Sequence, residues 1–158
     1  EYGPRALGNR SILADPRVSS MKDRVNSKVK FREPFRPFAP SVLSDYIGDC
    51  FTIPETFHDY PLRFMQFVVD VNDNFKDKVP SVTHVDGTSR PHLVKETDNK
   101  KYYDLIKAFN DLGGVPMILN TSFNLRDEPI VNSPVDAINS FINSDIDVLI
   151  MDRFVVSK

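Results

Sequence analysis

At 158 residues, 41% hydrophobic and 27% charged, the chain has the size and balance of one domain spanning 1–158, able to bury roughly 70% of the surface its unfolded form exposes. A single cysteine, Cys50, excludes an internal disulfide framework and a cysteine-based zinc cluster. The absence of any apolar run near the ~18 residues that a membrane-spanning helix needs argues against a membrane partner, and with no signal-peptide pattern the cytoplasm is the expected compartment.

Taken in chain order, Glu1-Tyr2-Gly3-Pro4-Arg5 enters a motif-rich stretch without an initiator methionine, so the sequence reads as a piece of a longer chain. Positive charge is concentrated here. Arg5, Arg10, Arg17, Lys22, Arg24, Lys28, Lys30, Arg32 and Arg36 face only Glu1, Asp15, Asp23 and Glu33, which gives the first 36 residues a net +5 within a chain of net charge −2. Several of these arginines sit beside Pro or Gly, where turns hold the planar guanidinium in a fixed direction suited to phosphate or carboxylate. Asp15-Pro16 followed by Val18, Met21, Val25 and Val29 predicts a helix over about 16–28, and its Arg17, Lys22, Arg24 and Lys28 read first as a solvated face.

Pro34, Pro37 and Pro40, with Phe31, Phe35 and Phe38 between them, forbid a long helix and predict short extended segments, followed by loop over 44–61. The dense apolar run from Leu62 to Val71 predicts a buried strand. Val82–Val85 predicts a second, shorter one that enters the turn Asp86-Gly87-Thr88-Ser89-Arg90-Pro91. Tyr102, Leu105, Ile106, Phe109 and Leu112 keep a helical period over 99–112, stopped by Gly113-Gly114. Val115–Leu119 then predicts a buried strand ending in the polar run Asn120-Thr121-Ser122-Phe123-Asn124. Ser133-Pro134 opens a helix to about Asn143 with Val135, Ile138, Phe141 and Ile142 inward, and strands follow at Val148–Met151 and Phe154–Val156. Late alternation after an irregular first half fits an α/β domain with a mixed twisted sheet.

Neither a G-x-x-x-x-G-K-[ST] nor a G-x-G-x-x-G loop occurs, so any phosphate must be held by side chains. The candidates are Lys30, Arg32 and Arg36 in the Pro-rich run, Arg90 after Asp-Gly-Thr-Ser, and Asn120 with Ser122, which on an extended strand end point the same way. The competing reading of Asn120-Thr121-Ser122 is backbone satisfaction at a strand-to-loop turn. His58, His84 and His92 lack the spacing that sets two metal ligands on one helix face, and no metal site is expected. A serine hydrolase built on Ser122 lacks the nucleophile elbow.

Four runs, Glu1–Arg17, Lys30–Pro40, Asp86–Pro91 and Pro116–Asn124, resemble in sequence and order the signature of the O-carbamoyltransferases of nodulation-factor and antibiotic tailoring. The resemblance implies a YrdC-like fold, a twisted mixed β-sheet with packed helices. It implies an ATP-dependent enzyme part that uses ATP and carbamoyl phosphate to form carbamoyl adenylate, whose carbamoyl group an N-terminal kinase-like domain passes to an acceptor hydroxyl. Carried onto this sequence, Lys30 and Arg36 match the basic residues at the carbamoyl phosphate and nucleotide phosphates, with Arg5 and Arg90 joining them. Asn120 and Ser122 match a nucleotide-binding Asn-x-Ser, and Arg32 completes a Lys-x-Arg pattern. Lys30, Arg36 and Arg90 are the expected catalytic residues, and Mg²⁺ is expected to be carried by the ATP phosphates. The alternative is a non-catalytic RNA- or nucleotide-binding module of the same fold, against which the overall acidity argues, since nonspecific nucleic-acid binding needs a wide positive surface.

Overall fold

A computed structural model describes residues 7–31, 33, 36–56 and 59–158. Strand β1 (Ser11–Ala14) leads to helix α1 (Met21–Val25), which continues as a π turn, Asn26–Lys30. Strand β2 (Ala39–Leu43) is followed by a single 3₁₀ turn, α2 (Ile47–Cys50), β3 (Phe51–Thr52), α3 (Asp59–Leu62), β4 (Val69–Val71) and α4 (Asp73–Lys76). The second half runs β5 (Thr88–Ser89), β6 (His92–Val94), α5 (Lys100–Gly113), β7 (Met117–Ser122), α6 (Pro134–Ile142), β8 (Val148–Met151) and β9 (Phe154–Ser157).

The main sheet has the order β1-β7-β2-β6. β7 runs antiparallel to both neighbours, and β2 is parallel to β6, so the sheet is mixed. The fold is thus α/β with packed helices around a mixed sheet, an arrangement consistent with the YrdC-like expectation. Three further strands form β3-β4-β5, and β8-β9 is a separate hairpin.

β7 positions everything that follows. Met117 and Leu119 point into a cluster with Val25, Phe38, Val42 and Val115, while Ile118 on the other face meets Tyr102 and Ile106 of α5. Burial on both faces is what a central strand with a continuous apolar run requires, and each such side chain contributes roughly 1.5–3 kcal/mol. α5 starts where the Asn99 side chain accepts the Tyr102 N–H (3.1 Å) and stops at Gly114 in the left-handed region (φ 78°). α6 opens with a capping box between Ser133 and Asp136. No helix of the described residues is long and apolar enough to cross a membrane.

Four expected elements differ, and so does the expected inner face of α6. The helix foreseen over 16–28 starts only at Met21, and its C-terminal half is the π turn. The segment foreseen as loop over 44–61 carries α2, β3 and the start of α3. Of the run Leu62–Val71 only Val69–Val71 pairs as a strand, because Leu62 ends α3 and Met65 takes φ 56°. Val82–Val85 forms a turn, closed by Gly87 N–H to the His84 carbonyl (3.0 Å), and the strand begins at Thr88. On α6, Val135, Ile138 and Ile142 face outward, and Ala137, Ser140 and Phe141 are the buried residues.

Candidate functional site

Lys30 is the last residue of the π turn. The turn closes through Phe31, whose N–H donates to the Asn26 carbonyl (2.6 Å) and whose φ is 46°. A left-handed backbone is rare for a bulky aromatic and costs on the order of 1–3 kcal/mol. Widened turns of this kind recur at functional sites. Here the turn directs Lys30 inward beneath the end of β7, where only 8% of the residue remains exposed. Its Nζ donates to the Ser122 carbonyl (2.6 Å), Ser122 Oγ (3.1 Å), the Asn124 carbonyl (2.9 Å) and Asn124 Oδ1 (2.8 Å). All four acceptors are uncharged. They replace part of the hydration that a buried ammonium loses.

The oxygens are themselves fixed. Ser122 Oγ donates to Asn124 Oδ1 (2.6 Å), and Asn124 Nδ2 donates to the Glu128 carbonyl (2.7 Å). The Glu128 carboxylate accepts from the Leu125 N–H and from Ser140 Oγ of α6, both at 3.2 Å. This loop forms one wall of an open cleft of about 330 Å³. Lys30 lies at its floor, with Arg36, Arg126, Glu33 and Asp127 around it. Arg36 Nε donates to Glu33 Oε2 at 2.9 Å. Three cations, Lys30, Arg36 and Arg126, thus share the cleft with two carboxylates, Glu33 and Asp127, and with the neutral polar groups of Ser122 and Asn124.

The structure therefore brings together Lys30, Arg36 and Ser122 of the residues singled out in the sequence. Arg5 and Arg32 lie outside the described residues, as does His58. Arg90 is exposed just beyond β5 and does not line this cleft. It follows a turn in which Asp86 Oδ1 accepts from the Thr88 N–H (3.0 Å) and Thr88 Oγ1 (2.7 Å), bonds that hold the Asp86 carboxyl below its usual range. His84 Nδ1 lies 3.0 Å from the same hydroxyl, and burial pushes the basicity of its ring down. Asn120 is fully buried and does not line the cleft. Its Nδ2 donates to Ser41 Oγ (2.7 Å), which lies 2.9 Å from His92 Nδ1, so these side chains cross-link β7, β2 and β6 inside the sheet.

Asn124 and Arg126 were not singled out in the sequence. For Asn124 a signal was present, since it stands two residues after Ser122 and so repeats the spacing that drew attention to Asn120. Arg126 carried none, being one charge in a polar loop. Among the described residues no group of three or more His, Cys, Asp or Glu side chains could hold a metal ion.

Residues 1–158 match the family described as the carbamoyltransferase C-terminus. The chain belongs to this family. It is 48% identical over its whole length to nodulation protein NolNO of Sinorhizobium fredii, of which it covers 23%, and 48% identical to nodulation protein NolO of Bradyrhizobium diazoefficiens, of which it covers 28%. An uncharacterized protein of Methanocaldococcus jannaschii is 44% identical, again over all 158 residues and 25% of that protein. The chain thus spans about a quarter of the length of these curated relatives of the carbamoyltransferase family.

Proposed function

We propose that this chain is the carbamoyl-adenylate-forming part of an ATP-dependent O-carbamoyltransferase, acting beside an N-terminal kinase-like domain of a longer polypeptide that passes the carbamoyl group to a hydroxyl acceptor. Family membership supports carbamoyl transfer as the reaction class. The observation that carries the finer reading is the buried Lys30 ammonium, held by oxygens of Ser122 and Asn124 at the cleft floor, with Arg36 at the rim.

Carbamoyl phosphate bound in the cleft loses its phosphoryl group to water, giving carbamate and phosphate. A carbamate oxygen then attacks the α-phosphorus of ATP, and pyrophosphate leaves with the electron pair of the broken P–O bond. The attacking atom is already anionic, so no low-pKa base is needed, and the task of Lys30 and Arg36 in the cleft is to position the reactants and neutralise charge that spreads over the phosphoryl oxygens. Mg²⁺ would arrive on the ATP phosphates, where it offsets their charge.

Calorimetric titration with ATP, with and without carbamoyl phosphate, tests this reading, together with carbamoyl-phosphate-dependent exchange of pyrophosphate into ATP. The chain is expected to bind both ligands and Arg36→Ala to lose at least about tenfold in affinity, the value of one charge-assisted contact. A folded chain that binds neither ligand overturns it.

A further inference from the structure

We infer that Arg126 is a phosphate-binding residue of the Lys30 cleft, and that Asp127 and Glu33 occupy Arg126 and Arg36 until a phosphorylated ligand displaces them; this rests on the proposed reading of the cleft as a phosphate site. Arg126 stands on the loop that also supplies Asn124, and that loop is held closed at both ends. Asn124 Nδ2 reaches forward to the Glu128 carbonyl (2.7 Å) and the Glu128 carboxylate reaches back to the Leu125 N–H (3.2 Å). Asp127 takes φ 62°, the left-handed value that lets the chain reverse within this short span. The backbone under Arg126 is consequently fixed relative to Ser122 and Lys30, and the side chain lines the cleft they share.

The two rim arginines are arranged alike. Arg36 Nε lies 2.9 Å from Glu33 and Arg126 Nε lies 3.5 Å from Asp127, each partner being a near neighbour in sequence that lines the same cleft. All four side chains are at least half exposed. Ion pairs so open to water contribute little to stability and exchange readily. A phosphate offers each guanidinium two oxygens in the fork geometry and carries more charge than one carboxylate, so it replaces both partners at small cost. The carboxylates then serve as internal competitors. They keep the guanidiniums extended over the cleft, and they hold ligand affinity below what three cations alone would give.

Pyrophosphate titration followed by calorimetry tests this on the chain itself. Asp127→Asn is a conservative probe, because Asn shares the tolerance of Asp for a left-handed backbone. Arg153→Ala is the control, since Arg153 pairs loosely with its neighbour Asp152 (3.9 Å) outside the cleft and removes the same charge. Arg126→Ala is expected to weaken binding about tenfold or more, Asp127→Asn to tighten it a few-fold, and Arg153→Ala to leave it within about twofold. Arg126→Ala binding as the parent does, or losing no more than Arg153→Ala, overturns the assignment of Arg126. Asp127→Asn binding no tighter than the parent overturns the competitor role. A Lys30→Met variant separates the two levels of argument: if it loses pyrophosphate while Arg126→Ala does not, the cleft reading stands and the inference falls, whereas a parent that binds no pyrophosphate sinks both.

Discussion

Exchanging Lys30 for methionine keeps an unbranched side chain one atom shorter and removes the ammonium, which makes it the sharpest probe of the cleft. Four oxygens that now accept from Nζ lose their donor, and those that stay buried cost about 1–3 kcal/mol. For a domain of this size that is a fall in Tm of several degrees. Phosphate or ATP affinity falls much further, by about a hundredfold, because the floor charge itself is gone. Thermal denaturation and calorimetry on the same sample check both figures. Equal loss of folding and binding would mean that Lys30 is a structural lysine. At this scale the sequence pointed to Lys30, Arg36 and Ser122 through the company they keep, basic residues beside prolines and a hydroxyl at a strand end. It could not separate Asn120 from Asn124. Both are two residues from Ser122, and which one faces the cleft depends on where β7 leaves the sheet, a tertiary fact set by its pairing of Asn120 with Leu13 and Ala39.

Among the elements, α5 depends on a residue ninety-six positions away. Arg17 donates to the Gly113 carbonyl (2.8 Å), stacks its guanidinium 5.1 Å from the Phe109 ring, and is gripped by Asp15 at 2.6 Å. A methyl group at Gly113 would meet that guanidinium. Gly113→Ala is therefore expected to destabilise the parent, whereas in an Arg17→Ala background it becomes neutral or stabilising, since Ala is the better helix former. A double-mutant cycle by denaturant unfolding reads the change of sign. The same cluster has a pH signature. The Arg17 hydrogen bond holds the Asp15 carboxyl below its usual range against the opposing effect of burial. A carboxyl lowered by folding contributes stability that is full above its unfolded pKa of about 3.9 and is lost as pH falls through the lowered native value. The Tm gap between the parent and Asp15→Asn should accordingly be present at pH 7 and close below about pH 4. Helices with explicit stops were legible: Asn99, Gly114 and the Ser133-Pro134 start place α5 and α6 to within a residue or two. The run Leu62–Val71 misled, because a short apolar stretch looks alike whether it pairs as a strand or packs as a turn.

Across the whole molecule, charge is segregated in sequence yet interleaved in space. Arg24 of the basic first quarter meets Asp147 (3.2 Å), and Lys101 of α5 meets Asp152 beside the β8-β9 hairpin (3.3 Å). Both pairs are at least half exposed and contribute little to folding. The cleft arginines pair in the same exposed way, Arg36 with Glu33 and Arg126 with Asp127. Raising salt from about 0.05 to 1 M shortens the Debye length from over 10 Å to about 3 Å. It is expected to leave Tm nearly unchanged while weakening pyrophosphate binding severalfold, as measured by scanning calorimetry and titration in parallel. A Tm that fell steeply with salt would show that the ion pairs, and not the buried clusters around β7, hold the domain together. The mixed sheet itself was legible from the late alternation of strands and helices. Its order was not, since the parallel pairing of β2 with β6 is fixed by side chains 51 residues apart, such as Ser41 and His92.

The π turn at Asn26–Lys30 is also a matter of phase. Each residue of an α-helix turns the chain by about 100°, so a stretch closed one residue wide carries an extra step of rotation between Val25, fixed in the core, and Lys30, fixed under Ser122. Removing Ser27, an exposed residue of that stretch, would let the helix wind regularly and would leave the two ends out of step by that angle. The apolar cluster around Val25 holds its end, and the lysine swings away from its oxygens. Such a shortened protein would keep its sheet and melt only several degrees lower, so that a single codon in this helix sets whether the cleft has a floor.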